Sequence, residues 1–189
     1  MNQEKSPSES FVHSRKLVMP DQINPNGTLF GGVLMSWMDK VAYMAAQRHA
    51  GKRHVLTVNI DQIHFSAPIG VGDQVELTAV VEYVGRTSME VAVEVNRLDV
   101  ESSQIQRAAS AQFTFVAVDE HLKPVPVPQI KLVTELEKTQ FEKAKLRVKI
   151  RGRLRNWFQE RFPQRMSPSL GQDGTLAGWE FRSGLDPLR

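Results

Sequence analysis

Asn24-Pro25-Asn26-Gly27-Thr28-Leu29-Phe30-Gly31-Gly32-Val33-Leu34-Met35-Ser36-Trp37-Met38-Asp39 reads as a turn running into an apolar helix. Pro25 presets its own φ and Gly27 tolerates a left-handed backbone, so the first four residues favour a turn. From about Phe30 to His49, Leu34, Met38, Val41 and Ala45 recur at helical spacing, and Met35, Ala42 and Ala46 widen the stripe. A stripe this broad, with so few charges, predicts a helix buried on most sides. Gly51 is the expected C-cap.

Around this helix the pattern changes to period two. Phe11 to Val18 alternates weakly and ends at Met19-Pro20. After the helix come His54–Phe65, Gln74–Tyr83, Thr87–Leu98 and Ile105–Val118, separated by Pro68, by Gly72-Asp73 and by Gly85-Arg86. Val75, Leu77, Ala79 and Val81 share one parity, as do Met89, Val91, Val93 and Val95, and Ala109, Ala111, Phe113 and Phe115. Short turns favour antiparallel neighbours. The expected fold class is α+β, a five-stranded antiparallel sheet wrapped round a long central helix.

A Pro-punctuated boundary follows at Leu122 to Pro128, and Thr134 to Phe162 reads as a C-terminal helical extension with Thr134 as N-cap. Lys145 to Ile150 alternates at period two, which competes with that helix. The expected organisation is a disordered arm over 1–10, a main domain over 11–128, a basic extension over 129–165 and a disordered tail over 166–189.

The chain has 189 residues, 41% hydrophobic and 24% charged, which is enough to bury a core. It has no cysteine, which removes thiolate catalysis and Cys-ligated zinc and fits a reducing cytosol. No apolar run reaches the about 18–20 residues that span a bilayer, and the polar first ten residues do not resemble a signal peptide. The expected location is cytoplasmic. The net charge is +3, yet Phe141–Arg165 holds nine basic residues against two acidic ones, leaving the rest at −4. The pI of about 9.3 therefore belongs to the extension and does not by itself indicate nucleic-acid binding.

Several chemistries lack their residues. There is no G-x-S-x-G elbow, no phosphate-binding glycine loop and no His pair at ligand spacing, so no metal and no cofactor is expected. What remains is a carboxylate and an amide beside a helix start. Asp39 sits within the apolar stripe, where it either pairs with Lys40, Lys52 or Arg53 at the helix border or serves as a general base raised by partial burial. Asn24 either starts the turn or positions a reacting group. Gly31 and Gly32 either permit close packing or open the helix N-terminus, whose free N–H groups favour a developing oxyanion.

Asn24-x-x-Gly27-x-x-Phe30-Gly31-Gly32 followed by Met38-Asp39 resembles the active-site signature of the cytosolic acyl-CoA hydrolases, bacterial broad-specificity and brain-type members of the hotdog fold. Val58 to Pro68, Gly72-Asp73 and Gly85-x-Thr87-Ser88 also fall in that family's order. The likeness covers about Phe11 to Pro128, extends weakly into the basic segment and leaves out Ser167 to Arg189. It implies hydrolysis of acyl-CoA to a carboxylic acid and coenzyme A, the latter being part of the substrate. Asp39 is then the general base, or alternatively the nucleophile. Asn24 positions water or thioester, and the N–H of Gly31 or Gly32 polarises the carbonyl. Phe30, Thr87 and Ser88 line the substrate track, and Arg86 is a weaker candidate for a coenzyme A phosphate. In that family Asn and Asp of one site come from opposite subunits, so a homodimer is implied, and a hexameric trimer of dimers beyond it.

Two other readings stand beside this one. An acyl-CoA-binding regulatory module would use the same pocket without hydrolysis, its basic tail contacting nucleic acid. A hotdog dehydratase would need a catalytic His, and none lies in the helix-start motif. The basic segment itself reads as a solvated helix packing on the oligomer, as an attractor for coenzyme A phosphates, or as a nucleic-acid or membrane contact. Its Lys–Arg alternation promises no clean amphipathic face, so neither a nucleic-acid nor a membrane partner is expected.

Overall fold

A computed structural model describes residues 4–51, 54–99, 104–161, 169–170 and 176–177. The central helix α2 (Gly31–Ala50) closes on Gly51 at φ +77°, a conformation that glycine adopts without steric cost. The strands β2 (Val12–Leu17), β3 (His54–Phe65), β4 (Gln74–Val84), β5 (Ser88–Leu98) and β6 (Ile105–Val118) form one antiparallel sheet ordered β2-β4-β5-β6-β3. Strands β2 and β3 flank α2 in sequence but lie at opposite edges. The chain therefore crosses the sheet along the helix, which packs against all five strands.

The parities expected from sequence face the helix. Val75, Leu77, Val81, Met89, Val91, Val95, Phe113 and Phe115 are fully buried, opposite Met38, Ala42, Ala45 and Ala46 of α2. Alanines on both surfaces let helix and sheet approach closely, and Tyr43 closes one side edge-on to Phe115 at 6.4 Å.

Residues 4–10 are not the arm expected from their polarity. β1 (Glu4–Lys5) pairs in parallel with β7 (Gln129–Ile130), and α1 (Pro7–Ser10) carries a capping box between Ser6 and Glu9. The β2–β4 register ends at Val12↔Ala79, and two residues beyond it Val81 N–H donates to the buried Ser10 Oγ at 3.0 Å. That donor would otherwise be buried unpaired. The hydroxyl therefore extends the ladder, which hydropathy alone does not reveal.

The chain divides into two compact units, 1–146 and 147–189, and not at Pro128. The helix α3 (Glu135–Arg161) begins in the first unit, where Phe141 packs on Tyr83 at 5.1 Å and Ala144 is buried. Thr134 caps it: Glu137 N–H donates to Thr134 Oγ1, while Glu137 Oε2 accepts the N–H groups of Val133 and Thr134. Helical hydrogen bonding thus overrides the period-two pattern. In the second unit, β8 (Ser169–Leu170) and β9 (Leu176–Ala177) pair antiparallel. The rest of the tail expected to be disordered lies outside the described residues.

His49, at the end of α2, is fully buried, with Nε2 2.9 Å from the Pro128 carbonyl and Nδ1 without a partner among the described residues. Burial pushes its pKa below the usual 6.5, with Lys5 adding to the shift and the Pro128 bond and Glu9 opposing it. The unfolded chain binds this proton more readily, so stability is complete above the unfolded value and is lost as pH falls through about 6.5. Urea midpoints should fall between about pH 7.5 and pH 5, and His49→Gln should flatten that slope. Equal slopes in the two proteins would show that His49 does not carry the effect.

Candidate active site

The turn before α2 is built by Asn24. Its Oδ1 accepts N–H groups from Asn26 at 2.9 Å and Thr28 at 3.3 Å, and its Nδ2 donates to Thr28 Oγ1 at 2.9 Å. An amide nitrogen has two hydrogens, so one remains for another partner. Gly27 takes φ +78° to close the turn.

Beyond it, Phe30 caps α2 without a side-chain bond, and its carbonyl accepts from Val33 and Leu34. Among the described residues nothing accepts from the N–H of Gly31 or Gly32. These are the free donors that a helix start presents, with the positive end of the dipole behind them. The glycines also make room for two rings. A Cβ at Gly32 would lie 2.6 Å from Phe30 Cε1, and one at Gly31 would lie 3.6 Å from Phe65 Cζ. Asn24, Gly31, Leu34, Phe65 and Ile69 line an open groove of about 380 Å³.

The wall of this groove, residues 66–73, is held from three sides. Ser66 and Ala67 N–H donate to the Ala108 carbonyl, Leu29 N–H donates to the Ile69 carbonyl at 2.7 Å, and Thr28 bridges Gly70. Asp73 accepts from Gly70 N–H at 2.6 Å and lies 2.7 Å from Arg97 Nε. The Nε–H is not aimed at that oxygen, so this contact is Coulombic. Arg97 also donates to the Pro68 carbonyl and to Asp99. Sequence reading marked Gly72-Asp73 but missed Arg97, which no local pattern distinguishes from a surface arginine.

Asp39 is half-buried, and its partner is Thr57, whose Oγ1 donates to Asp39 Oδ1 at 2.9 Å. Of the expected partners, Lys40 is exposed, and Lys52 and Arg53 lie outside the described residues. A bulge after Thr57 shifts the β3–β6 register, so Thr57 pairs with Phe115 and Ile60 with Phe113. Both therefore face the helix, although they are three apart. Thr57 was missed in the sequence; its parity with the buried Val55 is the only signal that could have found it. Asp39 also lines a second groove of about 370 Å³ with Ser14, Lys16, Trp37, Tyr43 and Leu77.

Gly31 and Asp39 are eight residues apart on one helix, about 12 Å along its axis. Arg86, Thr87 and Ser88 lie farther away. Arg86 and Thr87 carbonyls accept from Val127 and Ala117, beside the Pro128 carbonyl that meets His49. This is the opposite end of α2, about 33 Å along β4 from the Asn24 groove. One chain thus brings together Asn24, Phe30, Gly31 and Gly32, and leaves Asp39 and the 86–88 turn apart from them. Among the described residues no cluster of three or more His, Cys, Asp or Glu could hold a metal ion.

The description that matches the sequence as a family is the Thioesterase superfamily, over residues 26–103. The uncharacterized acyl-CoA thioester hydrolase YkhA of Bacillus subtilis is 38% identical over 165 residues, 87% of this chain and 92% of that protein. An acyl-CoA hydrolase of Staphylococcus aureus, solved with butyryl coenzyme A, coenzyme A and coenzyme A disulfide, superposes with TM-score 0.77 at 36% identity, covering 85% of this chain and 97% of that one. The hexameric thioesterase y2039 of Yersinia pestis superposes with TM-score 0.58 at 40% identity, covering 61% and 93%.

Asp73→Ala would leave Arg97 without its closest carboxylate and the Gly70 N–H without an acceptor. It should lower unfolding free energy by about 1–3 kcal/mol, read from urea titration; an unchanged midpoint would show that the 66–73 wall does not need the ion pair.

Proposed function

The chain belongs to the thioesterase superfamily, and we propose that it hydrolyses acyl-CoA to a free carboxylic acid and coenzyme A in a site built by two copies of the chain. One observation carries the two-chain reading: Gly31 and Asp39 of one helix are about 12 Å apart. A base and an oxyanion donor must both lie about 3 Å from the reacting atoms. A second copy running antiparallel supplies the missing half, setting Asp39 of one chain against Asn24, Gly31 and Gly32 of the other.

The spacing on α2 supports an axis near the middle of its first half. If residue 31 opposes residue 39 in both directions, the axis passes beside Met35, a large apolar side chain that is exposed on this helix. Strand β3 supports the same arrangement. It is an edge, and Leu56, Val58, Ile60 and Phe65 on it are exposed. An unprotected apolar edge favours pairing with another chain. The antiparallel copy also sets its Arg86–Ser88 turn beyond the Asn24 end, where the coenzyme A portion leaves the groove. The dimer is the minimum assembly, and a trimer of dimers accords with the hexameric neighbour. A cysteine-free chain suits a cytoplasmic location.

In the proposed reaction the acyl carbonyl oxygen rests against Gly31 and Gly32 N–H, beside the spare hydrogen of Asn24 Nδ2. Thr57 holds Asp39 Oδ1, leaving Oδ2 to take a proton from water as the water oxygen bonds to the carbonyl carbon. The amides carry the resulting oxyanion. Collapse breaks the carbon–sulfur bond, and the proton on Asp39 passes to the departing thiolate. Asp39, Asn24, Gly31 and Gly32 are the catalytic groups; Thr57 is a positioning residue. Phe30 flanks the entrance, with Arg86, Thr87 and Ser88 along the coenzyme A track.

Asp39→Ala and Asn24→Ala should each lower kcat at least about 100-fold, read as thiol release across a panel of acyl-CoAs. Co-expressing the two variants is the sharper measurement. Every mixed dimer then holds one intact and one doubly defective site, so random pairing returns about a quarter of wild-type activity. No recovery from a confirmed mixed dimer would place the whole site in one chain. Met35→Glu should dissociate the dimer and abolish turnover together, as followed by light scattering and the thiol assay; an active monomer would sink the shared site.

A further inference from the structure

Nothing in the proposed reaction uses the second half of α3. Leu146, Ile150, Leu154, Trp157 and Phe158 are each 47–57% exposed there, and Trp157 and Phe158 meet edge-on at 5.0 Å. Read linearly, Lys145–Arg151 alternates and offers no amphipathic face; winding re-sorts it. At 100° per residue, Trp157, Ile150, Leu154 and Phe158 fall within an arc of about 100°, and Leu146 widens it to about 120°. From Val148 to Phe158 no charged residue falls inside that arc; Arg147 and Arg161 fall within it at its two ends, one turn from Ile150 and from Phe158. Arg153 borders one side and Arg151 the other, with Lys149 and Arg155 behind them. Phe141–Arg161 holds eight basic residues against two acidic ones.

We propose that this face of α3 docks on an anionic lipid surface, lying in the plane of the membrane. Charge selects the occupant. A second copy placed on the same face would bring two strongly basic helices side by side, whereas anionic head groups neutralise them. A nucleic acid would satisfy the cations but leave five large apolar side chains in water. A lipid interface answers both. The apolar arc enters the head-group boundary, and bordering arginines reach up to phosphates along their own aliphatic stems. Trp157 suits that boundary, having an apolar body and one N–H donor. No described helix is long and apolar enough to cross a membrane, so the contact is peripheral. The inference does not depend on the catalytic reading, because none of these residues lies in the site.

Sedimentation of the full chain with phosphatidylcholine vesicles containing phosphatidylglycerol, against phosphatidylcholine alone, tests it. The chain should pellet with anionic vesicles, less so as salt rises, and Leu154→Glu should cut vesicle partition by at least about tenfold. Thiol release by that variant in solution should match wild type, which also shows that it folds. Three results would overturn the proposal: no preference for anionic vesicles, equal pelleting of Leu154→Glu, or a fall in oligomeric state in Leu154→Glu that makes the face a subunit contact. RNA retention lost in Leu154→Glu, without vesicle binding by wild type, would assign the face to nucleic acid instead.

Discussion

The rise of one rigid helix sets the spacing on which this molecule depends. The sheet packs against α2 with all five strands and buries one face of it along its length. Its free N–H groups at Gly31 and Gly32 stand about 10–12 Å along the axis from Asp39. That separation within one chain is the observation from which the two-chain site is proposed.

The rest of the fold steadies one half or the other. On the amide side, the 66–73 wall is tied to β6 through Ala108 and to the Asn24 turn through Ile69, with Asp73 and Arg97 beneath it. On the carboxylate side, Thr57 shares the helix-facing parity of Val55 and keeps one oxygen of Asp39 occupied, and the bulge after it returns Ile60 to the same face. That bulge lies in an edge strand, where no outer neighbour resists the irregularity. The same absence leaves Leu56 and Val58 exposed.

Much of this was legible in the chain because it is local. Helical spacing from Leu34 to Ala45, the Gly51 cap, the strand parities and the Thr134 cap need only neighbours a few residues away. Asn24 and Asp39 stood out as polar groups at the mouth and in the stripe of an apolar helix. Thr57 and Arg97 did not, because the carboxylates that give them their roles, Asp39 and Asp73, lie 18 residues and more away across the fold. Residues 4–10 were misread for a related reason. Their polarity signals solvent, but Ser10 is buried as the acceptor for a strand N–H that no hydropathy pattern reports. In α3 the alternating charges looked strand-like until winding gathered the apolar side chains on one side.

By itself, then, the sequence determined which segments are helix and strand, which face of each is apolar, and that an amide-rich helix start precedes a lone carboxylate. Backbone periodicity and side-chain transfer energies act over one or two turns, so they are written locally. Tertiary structure decided the strand order that sends β2 and β3 to opposite edges, the hydrogen bond that joins Thr57 to Asp39, and the contact of Asp73 with Arg97 beneath the 66–73 wall. Those depend on which surfaces meet, a property of the packed whole that no stretch of residues carries alone.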